Sequence, residues 1–404
     1  MPAPAASVEI TDRDSHPSFG GPSSVASQIQ SDERLKSPVF DLEETPSNFQ
    51  CYAEFKARLR EEYALALGMD YNLLFQHAGR SLGEENAAGG VFRFFGRWTV
   101  VGQETGNPGS IEFKLEHRHR LGADIAPQAL GGQMGYAGLT AVPFSDAGSL
   151  LTNLFWHQSL SDNRIGYVVG IVDVTDYVNV YGLVNPWTDF SNLAFSTDPT
   201  IAAPDQGFGA AGRWRLAEHY YVLAGLADAN GDPSDPWDSV ESFFADGEHF
   251  KHLEVGWYDT WETRIDNNIH LTLWQVDERT DAGVPDGWGA AFSVSRKVHG
   301  QWLPFLRAGY ADGSGALLER SVSAGFGYYT DEHGVFGLGL NWGRPNRETF
   351  GANTRDQYTV EAYYRLQLAD LLAVTPNIQL IKDPATNREE DFLWVAGLRA
   401  RLTF

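Results

Sequence analysis

From Tyr63 to Ala78 the side chains alternate almost without a break. Tyr63, Leu65, Leu67, Met69, Tyr71, Leu73 and Phe75 fall on one face, and Ala64, Ala66, Gly68, Asp70, Asn72 and Gln76 fall on the other. A period of two belongs to a strand, and a strand this long with one apolar face can cross the ~30 Å hydrocarbon layer of a bilayer. Segments of the same kind follow at 90–103, 110–121, 150–160, 163–175, 206–216, 219–228, 248–260, 268–277, 287–298, 301–311, 319–330, 334–343, 356–368, 371–381 and 390–404, which makes sixteen strands. A helical bundle cannot be written in this pattern.

The connections alternate in length. Ser161-Asp162, Ala217-Glu218, Val298-His299-Gly300, Asp331-Glu332-His333 and Ala369-Asp370 read as tight turns, whereas 122–149, 176–205 and 229–247 are long loops. Outer-membrane barrels have this asymmetry, with short periplasmic turns on one rim and long extracellular loops on the other. An even strand count brings both termini to the short-turn rim. The last strand sharpens the reading: Phe392, Trp394, Ala396, Leu398, Ala400, Leu402 and Phe404 alternate with Asp391, Leu393, Val395, Gly397, Arg399, Arg401 and Thr403, and the chain ends on that aromatic. A terminal strand of this type is the address read by barrel-assembly machinery. The expected fold is all-β, a 16-stranded antiparallel transmembrane β-barrel, and the expected location is the cell outer membrane.

Composition agrees. Gly 42, Tyr 16, Phe 24 and Trp 12 against Met 3 describe glycine-punctuated, aromatic strands. A net charge of −23 opposes general nucleic-acid binding. A mean hydropathy of −0.30 and the absence of long apolar runs exclude membrane helices but not a barrel, whose strands turn half their polarity to the lumen. The single Cys51 allows no internal disulfide. Met1–Ser7 lack the basic start and apolar run of a secretory signal, so the chain either stays inside the cell or is a processed form. Residues 1–50 are polar and Pro- and Ser-rich, and are expected to be a flexible tail or held only by docking. Residues 51–62 space Tyr52, Phe55 and Leu59 as one short amphipathic periplasmic helix, and 63–404 form the barrel.

If one face meets lipid, parity assigns the lumen. On the second strand Phe92, Phe94, Trp98 and Val100 point outward, which leaves Arg93, Phe95, Arg97 and Thr99 inward. On the third, Ile111, Phe113 and Leu115 point outward and Glu112, Lys114, Glu116, Arg118 and Arg120 point inward. Fixed donors beside acceptors in a hydrated pore can replace the water around a sugar hydroxyl, and the guanidinium fork gives those bonds direction. Phe95 and loop Trp187 offer flat apolar faces for a pyranose ring. Arg213, Arg215 and Arg307 are further inward arginines, more simply read as hydrated lumen residues. Cross-strand pairing that merely stiffens the wall is the plain alternative for the whole set.

Other motifs carry less. Gly207–Gly212 reads GFGAAG, but Arg213-Trp214-Arg215 continues a strand where a dinucleotide site needs a helix. His117 and His119 face outward with no third ligand in sight. Asp228, Asn230 and Asp232 space oxygen atoms like part of a Ca2+ loop without the full EF-hand pattern, so a solvated turn is expected and Ca2+ is the alternative. No Gly-x-Ser-x-Gly elbow or visible His pairing supports catalysis, and no enzyme is expected.

These residues resemble a family. Phe55-Lys56-Ala57-Arg58-Leu59, Trp156-His157-Gln158-Ser159-Leu160, Gly170-Ile171-Val172-Asp173 and above all the stretch from Tyr364 to Phe404 are similar to the carbohydrate-selective porins of the Gram-negative outer membrane, the OprB type. The resemblance implies a sixteen-stranded barrel, loops folded inward to narrow the channel, and an Arg/Glu constriction favouring neutral sugars. Arg93, Arg97, Glu112, Glu116, Arg118 and Arg120 stand where this chain would supply that ring. Expected partners are neutral sugars, outer-membrane lipid and lipopolysaccharide, and the assembly machinery, with a homotrimer possible. Two other functions compete: an export barrel for an acidic polysaccharide, against which the mixed Glu and Arg set argues, and a plugged structural barrel.

Overall fold

The polypeptide alternates direction sixteen times and closes on itself. The computed structural model describes residues 19–34, 38–40, 47–330 and 334–404. The strands are β1 Leu65–Ala78, β2 Asn86–Val101, β3 Gly109–Arg120, β4 Gly148–Leu160, β5 Ile165–Val172, β6 Gly207–Arg215, β7 Tyr220–Asp228 and β8 His249–Tyr258. They continue as β9 Asn268–Val276, β10 Gly287–Ser295, β11 Trp302–Gly313, β12 Leu318–Tyr329, β13 Gly334–Pro345, β14 Gln357–Ala369, β15 Leu372–Lys382 and β16 Phe392–Thr403. Each pairs with its sequence neighbours, and β1 meets β16 antiparallel from Asp70 opposite Thr403 to Ala78 opposite Val395. Closure leaves no sheet edge with unpaired backbone groups, the condition for a sheet in lipid.

The outward face is apolar and graded. Exposed Trp98, Trp214, Tyr220 and Trp302 sit toward the short-turn rim, and Trp288, Tyr310, Tyr358 and Phe392 toward the other. Exposed Leu253, Val255, Leu271, Leu306 and Leu340 lie between them. Aromatic girdles around an aliphatic band match the two interfaces and core of a bilayer.

The long loops 121–147, 173–206 and 229–248 leave one rim, as the spacing predicts. They carry the helices α3 Pro127–Gln133, α4 Leu193–Ser196 and α5 Pro236–Ala245; α6 Arg347–Phe350 lies in the connection before β14. On the opposite rim, 161–164 turns through three successive left-handed residues, Ser161, Asp162 and Asn163, with φ of 54°, 53° and 62°. Asp and Asn tolerate that conformation. The expected turn at Asp331–His333 lies outside the described residues.

Three boundaries differ from the periodicity. The helix expected at 51–62 spans Ser47–Tyr63, so Tyr63 ends a helix instead of opening a strand. Ala64, at φ 52°, breaks between the two. The strand expected at 163–175 stops at Val172 because Asp173 accepts from the Thr175 amide and hydroxyl and starts a 3-10 turn, Val174–Asp176.

The described part of the polar N-terminal stretch follows the docked alternative: Val25–Glu33 form a helix in which Val25, Ala26, Gln28 and Ile29 are buried. We number this helix α1 and the Ser47–Tyr63 helix α2. α1 lies against β1, β2 and β3, with Val25 and Ile29 on Phe95, so it stands inside the barrel. Val39 and Phe40 then donate their amides to the Gln367 and Leu368 carbonyls at the end of β14.

Candidate functional site in the barrel lumen

The inward face of β2 and β3 holds the charged wall that parity predicts. Arg93 lies opposite Glu116 and Arg97 opposite Glu112 in the ladder, while Phe92, Trp98 and Leu115 face out. Arg97 Nε is 3.6 Å from Glu112 and donates to Ser110 Oγ at 3.3 Å. Glu112 also bonds His157 Nδ1 at 2.8 Å. Arg118 reaches Glu116 at 2.6 Å, and Lys114 reaches Asp176 at 3.2 Å. Arg97 and Arg118 keep 20% and 13% of their side-chain surface open, whereas Glu112, Lys114 and Glu116 are covered. Arg120 stands apart at the rim, half exposed and paired with Asp146 at 2.6 Å.

Arg93 is not open to a solute. It is fully buried, pairs with Asp70, donates to Gln28 Oε1 of α1 at 3.0 Å, and stacks 4.0 Å over the Trp187 ring. Phe95 is likewise covered, by Val25 and Ile29. Trp187, expected as a pore-facing aromatic, is 4% exposed and packs on Phe144.

Sequence reading placed Arg307 in the lumen without its role and missed the other residues that hold the loops. Loop 173–206 folds into the barrel and is gripped from four strands. Arg307 of β11 donates to the Phe195 carbonyl at 3.2 Å and to both the carbonyl and side chain of Asn179. Arg399 of β16 donates to the Pro186 and Asp189 carbonyls at 2.7 and 2.8 Å. Glu361 of β14 accepts from the Ser191 and Asn192 amides at 3.0 and 2.9 Å, and Glu254 of β8 accepts from the Asn179 amide at 2.8 Å. Loop 121–147 is held by Gln76, Gln357 and Gln379, with Tyr136 bonded to Asn192 of the neighbouring loop. The alternation along the last strand puts Arg399 and Arg401 on one face; nothing in it says that Arg399 meets loop carbonyls and Arg401 the carboxylates of Asp32 and Asp70.

Arg213 and Arg215 gather at the short-turn end around Trp261, with guanidiniums 4.0 and 4.9 Å from the ring centroid and Arg264 at 4.2 Å. Arg213, Arg264 and Trp261 border a cavity of about 470 Å3, counting the solvent it opens to, lined also by Tyr177, Tyr221 and Phe19. Burial lowers Arg264, in the connection 259–267, to about 10. The Asp228–Asp232 loop turns its oxygens elsewhere: Asp228 accepts from Ser239 and Ser242 of α5 at 2.8 and 2.6 Å, Asp232 accepts from Ser234, and Asn230 donates to Glu248. Among the described residues no group of three or more His, Cys, Asp or Glu side chains is arranged to hold a metal.

A closed sixteen-stranded barrel with inward-folded loops and an Arg/Glu wall can be compared with known proteins. The sequence pattern of the carbohydrate-selective porin, OprB family, matches residues 263–404. That match covers the C-terminal third of the chain. Among proteins of curated function none matches the chain. In structure the chain is similar to Pseudomonas putida OprB at high pH, with TM-score 0.67 and 14% identity over 87% of this chain and 97% of that one. The low-pH form gives TM-score 0.52 and 13% identity over 92% and 100%. A variant of the Rh. blastica porin gives TM-score 0.51 and 13% identity over 84% and 100%. At such identities the structural likeness is one of fold. The family match over 263–404 and the porin-like barrel fold are consistent with an outer-membrane barrel.

Proposed function

We propose that this barrel is an outer-membrane porin for the passive, selective diffusion of carbohydrates, with Arg97, Glu112, Lys114, Glu116 and Arg118 lining the constriction. The observation that carries this is the paired wall of β2 and β3. Donors and acceptors alternate as ion pairs at 2.6 to 3.6 Å, and Arg97 and Arg118 remain partly open. A wall already neutral in pairs offers a sugar hydroxyl both partners without attracting ions. Arg93 and Arg120 belong to this reading as an inner brace and a rim residue, and Arg213 and Arg215 beside Trp261 would form an exit on the periplasmic side. The outer apolar band would meet lipid and lipopolysaccharide, β16 with Phe404 would be read by the assembly machinery, and homotrimers would use the outer wall. Ca2+ at Asp228 would have to displace the Ser239 and Ser242 hydroxyls.

One observation favours a second reading, a plugged structural barrel. Many inward residues around the barrel, among them Asn72, Thr272, Ser293, Thr359 and Gln379, are buried. Swelling of proteoliposomes in glucose, a disaccharide and a neutral amino acid of similar size separates the two. Faster entry of sugar than of amino acid supports the porin, and no entry of any solute supports the plug. Arg97→Ala should cut the sugar preference about fivefold, the effect of one lost contact of ~1 kcal/mol. An unchanged ratio would remove Arg97 from the site.

A further inference from the structure

α1 occupies the lumen in a manner unlike the loops. The loops are held by backbone groups as well as side chains, their carbonyls and amides pairing with wall side chains. α1 is held at its polar face by its own side chains. Gln28 Oε1 accepts from Arg93 at 3.0 Å and from Arg401 at 3.5 Å, and the Asp32 carboxylate takes both terminal nitrogens of Arg401, at 2.8 and 2.9 Å. Its apolar face, Val25 and Ile29, covers Phe95. A neutral oxygen, a carboxylate and an apolar edge thus meet two guanidiniums and an aromatic ring.

The charges define what fits. Arg93 and Arg401 contribute +2 and Asp70, bonded to both, −1, so the wall alone carries +2 − 1 = +1. Asp32 brings the cluster to zero. With α1 displaced, the site would hold one uncompensated positive charge beside hydrogen-bond donors, a place for a singly charged carboxylate bearing further oxygens.

The same segment is also fastened to the inward loop. The Gly21 amide donates to the Asp176 carbonyl at 2.6 Å, and the Pro22 carbonyl accepts from Asn185 at 3.3 Å, both in loop 173–206. Gly21 approaches so closely that a Cβ would lie 2.7 Å from Val180 Cγ1. At the other end Glu33 pairs with Arg60 of α2, which ties α1 to the short-turn rim.

We propose that residues 19–33 are an internal ligand that occludes the channel, with Gln28 and Asp32 occupying a site that otherwise takes a sugar acid. This rests on the porin reading, since it presumes a pathway to close. The test is planar-bilayer conductance of the full chain, of the full chain carrying Val25→Asp with Ile29→Asp, and separately of Asp32→Lys, which opposes Arg401 without touching the wall. Heat-modifiable migration confirms that each barrel is folded. Both variants should conduct several-fold more than the unmodified chain. In them gluconate should interrupt the current at a roughly tenfold lower concentration than glucose, the discrimination that a charge-assisted contact supports. Folded variants that conduct no better than an unmodified chain that itself conducts would overturn occlusion and leave the porin standing. Conduction by none of them would overturn both, and equal block by gluconate and glucose would overturn the sugar-acid site.

Discussion

Arg307 illustrates how a lumen residue differs from a surface one. Its guanidinium lies over the Tyr181 ring at 4.8 Å and donates to the carbonyls of Asn179, Phe195 and Thr197 in loop 173–206, the Phe195 carbonyl shared with the Tyr181 hydroxyl. Buried carbonyls without donors are costly, so Arg307→Ala should lower the stability of the docked loop by about 2–4 kcal/mol. Native-state proteolysis within 173–206 reads this directly, since cleavage follows the open population. Arg307→Lys should recover little, because one ammonium cannot reach carbonyls that a planar fork spans; full recovery would mean that charge, not geometry, holds the loop. Parity placed Arg307 in the lumen, but its role was not legible. Its partners lie more than a hundred positions earlier, and a period of two records which face a side chain takes without recording what fills the barrel. The Asp70–Arg401 contact, 331 positions apart, escapes for the same reason.

At the scale of elements, the strands were readable because each repeats one decision, in or out, over its length, and the turns were readable from their brevity. α1 was not. Val25 and Ile29 make one i, i+4 pair in a Ser- and Gln-rich stretch, and Ser24 at the N-cap after Gly20-Gly21 is the only further sign. Such a helix is marginal alone and forms because the barrel buries it. Its anchor is the 3-10 turn Val174–Asp176, where burial pushes the Asp176 carboxyl from 3.8 up to about 6, opposed by Lys114. The folded turn holds that proton more tightly than the unfolded chain, so protonation favours the folded turn on which α1 is anchored. The anchor should weaken as pH rises from about 4 to about 6 and level off above. Hydrogen exchange at the Gly21 amide, which donates to Asp176, should show protection falling across that window once intrinsic rates are divided out. Asp176→Asn should flatten the profile, and a rise in protection with pH would show that the ion pair with Lys114 outweighs burial.

At the scale of the whole molecule, the barrel inverts the usual distribution of polarity. Charged and amide side chains are buried inside, and leucines and aromatics are bare outside. In water that outer surface would be an aggregation site far larger than monomeric proteins carry. In a bilayer it is the solvent-facing side. The two environments give opposite expectations for the same substitution at different heights. Leu306 projects from the middle of β11 and Leu160 from the rim end of β4, and both are exposed. An arginine at the midplane of lipid costs about 2–4 kcal/mol and near the interface about 0–1. Leu306→Arg should therefore destabilise the barrel in lipid vesicles by that larger amount, and Leu160→Arg hardly at all, as read from urea or guanidinium refolding titrations. In water neither exposed leucine would distinguish the two, because an outward arginine stays hydrated at any height. A depth-dependent penalty would fix the bilayer across the aliphatic band between the two girdles, and equal small effects in vesicles would place the lipid elsewhere.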